Sequence, residues 1–307
     1  MDRRNFIKKS IQAGVITSGA LSFSGFSNLF ASTNLHINQS YDLAAIRGGE
    51  PDVMFDAAIK SLGGMKAFVK KGQKVVVKPN IGWDVSPERG GNTNPILVKR
   101  IIQHCFEAGA KDVYVFDNTC DNWKRCYSNS GIEKAVKDAG GKIVSGASES
   151  YYQKVEVSKG KRLTSTTVHE LIIDSDVFIN VPVLKHHSSA SITSAMKNLM
   201  GVVWDRGYWH RNDLHQCIAD FATFRKPDLN IVDAYYVMKK NGPRGVSKDD
   251  LITMKSLLIS TDIVAIDAAA AKLFGSEPDS IKHIKIAHEM KIGNMNLDKL
   301  SINRIVM

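Results

Sequence analysis

The chain has only four cysteines in 307 residues, Cys105, Cys120, Cys126 and Cys217, and no two of them stand in a Cys-x-x-Cys spacing. That excludes the common zinc-ribbon and ferredoxin patterns. Also missing are a Gly-x-Gly-x-x-Gly turn, a phosphate-binding P-loop and a Gly-x-Ser-x-Gly elbow, so no standard nucleotide or serine-hydrolase signature is present. Beyond the first 32 residues no apolar run approaches the roughly 20 residues that a membrane-spanning helix needs. Basic residues are plentiful but scattered, and no recognition motif accompanies them, which argues against nucleic acid as a partner.

What the N-terminus does have is a charged start. Met1-Asp2-Arg3-Arg4-Asn5-Phe6-Ile7-Lys8-Lys9 reads as the basic region of a twin-arginine export signal. Ile11 to Ala31 follows as a mildly apolar run diluted by Thr17, Ser18, Gly19, Ser22, Ser24, Gly25 and Ser27. An ordinary secretory signal or a retained anchor is the alternative reading. Residues 1–32 are therefore set apart from the fold, with the twin-arginine translocase as the expected partner during export and a periplasmic or otherwise exported destination. The net charge is +10, and Arg3, Arg4, Lys8 and Lys9 against Asp2 account for three of it, leaving +7 (10 minus 3) for the rest. Such an excess favours anionic ligands. For an exported chain, Cys120 and Cys126 are either a local disulfide or free thiols.

With 43% hydrophobic and 23% charged residues, the remaining chain has the composition of an ordinary globular domain. Strand-like and helix-like runs alternate, which predicts one α/β domain over 33–307: a mainly parallel sheet flanked by helices with Rossmann-like layering. A smaller subdomain is expected between 120 and 170. Strands are predicted at Lys74–Lys78, Val113–Phe116, Lys142–Val144, Val177–Leu184 (with Pro182 inside it), Leu229–Val232 and Ser256–Ser260. Helices are predicted at Pro95–Ala108 with Asn94 as cap, Gly131–Ala139, Ser191–Met200 and Ile263–Phe274, the last closed by Gly275.

Polar residues gather where these strands end: Lys78-Pro79-Asn80, Asp117-Asn118, Lys185-His186-His187 and Asp233. Open parallel sheets bind ligands at the carboxyl ends of their strands, so these groups are expected to converge. Lys78, Lys185 and Lys197 would hold anionic groups, while Asn80, Asp117, Asn118 and Asn198 would orient by hydrogen bonds. His186 or His187 would act as acid/base or as a metal ligand, the two rings pointing in different directions on an extended segment. Trp204-Asp205-Arg206-Gly207-Tyr208-Trp209-His210-Arg211 would cover the site, with Trp204, Arg206 and Trp209 contacting ligand. His210 and His215 complete a candidate metal set with His186 and His187. Arg89-Gly90-Gly91-Asn92 is a candidate anion loop at a helix N-terminus. His104, His169, His283 and His288 fall in regular elements and read as structural.

Val75-Val76-Val77-Lys78-Pro79-Asn80, Ala108-Gly109-Ala110-Lys111-Asp112-Val113, and Val181-Pro182-Val183-Leu184-Lys185-His186-His187 with Lys197-Asn198-Leu199-Met200-Gly201 together resemble exported members of the domain-of-unknown-function 362 family. The resemblance spans nearly all of the chain after the signal. Members of that family are commonly described as iron–sulfur-associated where they carry a ferredoxin-like extension; cysteines at cluster spacing do not occur here. In layout alone the chain is also similar to nickel-pincer lactate racemases, in which Lys and His at strand ends hold a cofactor. The expectation is an exported enzyme, an oxidoreductase or isomerase, using a metal ion or redox cofactor on a small anionic substrate. The alternative is a non-catalytic periplasmic binding protein for an anionic ligand or glycan.

Overall fold

Lys74–Pro79, the run predicted first as a strand, lies at the centre of the main sheet. The computed structural model describes Leu29 and residues 41–307, so the rest of the segment expected to be an export signal lies outside the described residues. The strands are β1 (Leu43–Arg47), β2 (Lys74–Pro79), β3 (Asp112–Val115), β4 (Lys142–Ile143), β5 (Tyr152–Glu156), β6 (Ser165–His169), β7 (Val177–Val181), β8 (Val183–His187), β9 (Ser191–Thr193), β10 (Leu229–Met238), β11 (Leu251–Ser260) and β12 (Ile302–Val306). The main sheet runs in the order β12-β1-β11-β10-β7-β2-β3-β4, with β8 and β9 attached beside β10.

From β4 to β10 the neighbours are all parallel. The sheet is thus mainly parallel, as expected, but it is mixed: β11 is antiparallel to both β10 and β1. Chain connection explains the difference. The helix Pro95–Glu107 crosses from β2 to β3, and the helices Trp123–Asn129 and Ile132–Asp138 cross from β3 to β4. Only a short excursion joins β10 to β11, and an antiparallel pair needs no helix to return the chain.

Strand alternation sorts the core into two faces. Val75 and Val77 pack with the Pro95–Glu107 helix, while Val76 faces Phe178, Leu184 and the Ile263–Phe274 helix. Asn94 caps the first of these helices by accepting from the Ile96 amide, and Gly275 ends the second in the left-handed region at φ 89°.

The predicted strand Val177–Leu184 is two strands. Pro182 interrupts it, and after the break β8 pairs with β10 and with β9. The predicted helix Ser191–Met200 is shorter than its periodicity suggested. Ser191 takes φ 65°, the β-branched Ile192 and Thr193 pair with β8, and the α-helix begins only at Ala195. Between 120 and 170, the two helices join the layer over the main sheet, and β5–β6 alone form a separate two-stranded sheet. All four cysteines are free thiols, Cys120 exposed and Cys126 buried. Among the described residues no helix is long and apolar enough to cross a membrane.

The order of these strands fixes where a ligand site belongs. From β2 the chain steps outward to β3 and β4, then returns to place β7 on the other side of β2. The carboxyl ends of β2 and β7 therefore flank a topological switch point, the usual place for a crevice in an open α/β sheet.

Candidate functional site

A cavity of about 320 Å³ opens at that switch point. Lys78 and Asn80 enter it from the end of β2, Asp117 and Asn118 from beyond β3, and Lys185 and His187 from β8; Lys197 and Asn198 come from the short helix Ala195–Asn198. Three of the four polar strand ends singled out in the sequence thus meet. The fourth, Asp233, supports the site from behind: its carboxylate accepts from the Asn94 amide at 2.7 Å. The candidate anion loop around Gly90 and Gly91 therefore already has a carboxylate of the protein at the helix start behind it. Burial raises the Asp233 pKa to about 6, and two backbone N–H donors restrain the rise.

Lys78 is 1% exposed and lies 2.9 Å from Asp117 Oδ1. Its ammonium also donates to the Asn198 carbonyl at 2.7 Å and to Asn198 Oδ1 at 2.8 Å. Burial lowers the Lys78 pKa, with Asp117 pulling against that fall. The second oxygen of Asp117 accepts from the Ile81 amide. Gly201 closes over this pair: a Cβ there would collide with Asp117 Oδ1, and the Gly201 carbonyl holds the Asn118 amide at 2.9 Å.

A chain of amides joins this pair to the second lysine. Asn80 donates to Asn198 Oδ1 at 3.0 Å, and its own Oδ1 accepts from Lys185 at 3.1 Å. Asn198 donates to Asn180, and Asn180 donates to Asn230. Asn80, Asn180 and Asn198 thus find partners at both ends of their amides, while Asn230 Nδ2 has none among the described residues. Lys185, 1% exposed, donates also to the Gly91 carbonyl at 2.5 Å. Among the described residues no carboxylate lies within 4.0 Å of Lys185 or Lys197. Burial is the main cause that lowers Lys185 to about 7 and Lys197 to about 8, with nearby positive groups adding to it.

The histidines divide. In β8, His186 and His187 point to opposite sides, as strand alternation demands. His187 lines the cavity, and its Nδ1 accepts from the Ser189 and Ala190 amides at 3.2 and 3.3 Å. The neutral ring therefore carries its proton on Nε2. Burial, then the charges of Lys197 and Lys185, push its pKa down to about 2. His186 instead takes the Gly242 amide on Nδ1 at 3.1 Å. His210 lines the cavity, whereas His215 stacks on His283 with their Nδ1 atoms 3.3 Å apart. Of the four histidines in the expected metal set, two share the cavity and two have partners elsewhere.

The segment expected to cover the site does so through its charged residues. The Arg206 guanidinium donates to the carbonyls of Asn118 and Thr119 at 2.8 and 2.7 Å, and lies 3.3 Å from Cys120 Sγ. Trp204 packs on Tyr152, and Trp209 is wholly buried against Phe221. Neither tryptophan lines the cavity, nor does Arg89. Sequence reasoning missed Cys120, Thr193, Trp83 and Pro243 in the wall, and Asn180 beneath it. For Asn180 there was a signal: a lone amide inside the apolar run VFINV is costly unless it is bonded.

Over 258 residues, 81% of this chain and 76% of the relative, the sequence is 27% identical to the Thylakoid-associated protein sll1697 of Synechocystis sp.. Among solved structures, the lactate racemase apoprotein from Thermoanaerobacterium thermosaccharolyticum aligns with a TM-score of 0.45 at 10% identity. That alignment covers 80% of this chain, which spans 56% of the racemase chain. Residues 75–272, nearly every strand-end group of the cavity among them, match the domain of unknown function DUF362, and the chain belongs to that family.

Proposed function

We propose that the cavity is the active site of an exported enzyme that binds a small anion, a carboxylate or a phosphate, and exchanges a proton with it. One observation carries the reading: Lys185 and Lys197 are buried in the cavity wall, and among the described residues neither has a carboxylate within 4.0 Å. A buried charge is expensive unless it is paired, so an arriving anion supplies the missing partner. Arg206 at the rim and the Nε2–H of His187 add donors of the same kind. A lysine near pKa 7 both gives and takes a proton at neutral pH, which suits an acid/base role.

A bare metal ion fits this donor set poorly. His187 and His186 each accept a backbone N–H on Nδ1, so each presents N–H rather than a lone pair on Nε2. The remaining wall is rich in cations. An anionic organic group, substrate or cofactor, fits this wall better. The glycan alternative relied on Trp204 and Trp209, which pack into the protein.

The test combines calorimetry and isotope exchange on the full chain. Phosphate and short 2-hydroxy and 2-oxo acids are titrated into the wild type and K197M, and the bound acids are then followed by NMR in deuterated water. The reading expects binding that weakens at least tenfold in K197M, and exchange of a carbon-bound proton that disappears in K185M. Binding without exchange would make the protein a non-catalytic anion receptor. No binding of any of these acids would refute the anion reading.

A further inference from the structure

The three cavity lysines are not equivalent, and their partners show how they differ. Lys78 is held as a cation by Asp117 at 2.9 Å. The Lys197 ammonium, on a residue 9% exposed, makes no hydrogen bond among the described residues, so it is free to meet a ligand's acid group. Lys185 has two acceptors, Asn80 Oδ1 at 3.1 Å and the Gly91 carbonyl at 2.5 Å, both neutral. A neutral amine has two hydrogens and one lone pair. With both hydrogens taken by these two oxygens, the lone pair is the part left over for the cavity.

We propose that Lys185 is an amine nucleophile that forms an imine with the carbonyl carbon of a small oxo acid, whose acid group is held by Lys197. This rests on the anion-binding reading above and adds a substrate class and a covalent step to it. The lone pair of the Lys185 amine attacks the carbonyl carbon, and the carbonyl oxygen takes a proton to give a carbinolamine. Loss of water then leaves C=N; amine and carbonyl become imine and water, and nothing is oxidised or reduced. When the imine is protonated it keeps a single N–H, and Asn80 Oδ1 or the Gly91 carbonyl is already placed to accept it. The cationic neighbours work in the same direction, because an amine near other positive groups gives up its proton more readily. A solvated surface lysine has neither the two fixed acceptors nor the lowered basicity.

The experiment traps the imine in the full-length wild type. Protein is incubated with glyoxylate or pyruvate and cyanoborohydride across pH 6 to 9, digested, and mapped by mass spectrometry, with calorimetry of the same two acids in parallel. The expected result is a reduced adduct on Lys185 at least tenfold above that on any surface lysine, forming faster as pH rises through neutrality and suppressed by phosphate. In K197M the adduct should form more slowly. K185R, checked for folding by circular dichroism, should lose the adduct but keep binding the acids. Oxo-acid binding without an adduct at Lys185, or with the adduct on Lys197, overturns the imine and leaves anion binding standing. Failure of both acids to bind overturns the two readings together.

Discussion

Lys78 and Asp117 form an ion pair 2.9 Å apart at the ends of β2 and β3, with 1% and 2% of their side chains exposed. Neither charge has solvent to fall back on. Replacing one partner strands the other, which typically costs about 3–5 kcal/mol, whereas replacing both with apolar groups is often nearly neutral. D117N is therefore expected to lose stability on that scale, and K78M/D117L to recover much of it. Urea unfolding of K78M, D117L and K78M/D117L measures the coupling. If the loss in the double variant equals the sum of the two single losses, the pair has no energetic role of its own.

Gly201 makes the same pair sensitive to a single methyl group. Its Cβ would meet Asp117 and Lys78, and neither is the free end of a surface side chain. Overpacking of this kind costs roughly 1–3 kcal/mol. G201A should show that loss together with weaker anion binding, since the Gly201 carbonyl braces the Asn118 wall. Unchanged urea midpoints would mean that the loop Leu199–Val202 moves aside at little cost.

Much of this site was legible in the sequence because strand ends are marked by a simple change, from a β-branched run to Lys, Asn or Asp. Lys78 follows such a run, Asp117 and Lys185 follow mixed apolar runs with valine at alternate positions, and open-sheet topology gathers all three. The alternation of β8 also implied that His186 and His187 diverge. Which of them faces inward depended on the pairing of β8 with β9, and that pairing lay hidden inside a segment of helical periodicity. Trp209 was misread for a related reason. Arg206–Arg211 is a short helix, and its one large apolar ring turns into the core while Arg206 and His210 face the cavity. β11 reversed the expected parallel order because the excursion between β10 and β11 carries no crossover helix that would have signalled its direction.

The buried lysines give stability an alkaline dependence. Lys185 falls from 10.5 to about 7 on folding, so between those values the unfolded chain binds more protons. Stability therefore rises with pH across that window, and below about 7 the full penalty of burying the charge is present. Lys197, lowered to about 8, acts in the same direction. Urea midpoints of wild type should climb from pH 7 to 9.5 more steeply than those of K185M, and K185M should be the more stable of the two at pH 6. Anion affinity should move the opposite way, falling above about pH 8 as the ammonium groups lose their protons.

Cys120 differs from the other thiols. It is exposed, lines the cavity and lies 3.3 Å from the Arg206 guanidinium, while Cys105, Cys126 and Cys217 are buried. Burial also pushes the Cys126 and Cys217 thiols up to about 11, which suppresses their thiolates. Iodoacetate, itself a small carboxylate, should alkylate Cys120 first, and phosphate should slow the reaction. R206Q should remove much of iodoacetate's advantage over neutral iodoacetamide. Equal protection of all four cysteines, or none by phosphate, would separate Cys120 from the anion site.

The His215–His283 pair predicts an acid-side loss of stability. His283 is fully buried, its Nε2 has no partner among the described residues, and its Nδ1 faces Nδ1 of His215 at 3.3 Å, which leaves room for one proton between the two rings. Burial, then the charge of His215, holds the His283 pKa near 3, below the unfolded 6.5. Its contribution is therefore complete above pH 6.5 and is lost as pH falls towards 3. Asp233 and Asp267 act in the opposite sense: burial raises both to about 6, so each stabilises more as pH drops from 6 to 3.8. Between pH 6.5 and 4 the wild-type slope is the difference of these effects. H283L should lessen the acid-side fall, to which the buried His187 and His169 also contribute, and D267N should steepen it, both read from urea midpoints at pH 7 and 4.5. A slope unchanged in H283L would assign the acid sensitivity to groups other than the buried imidazole.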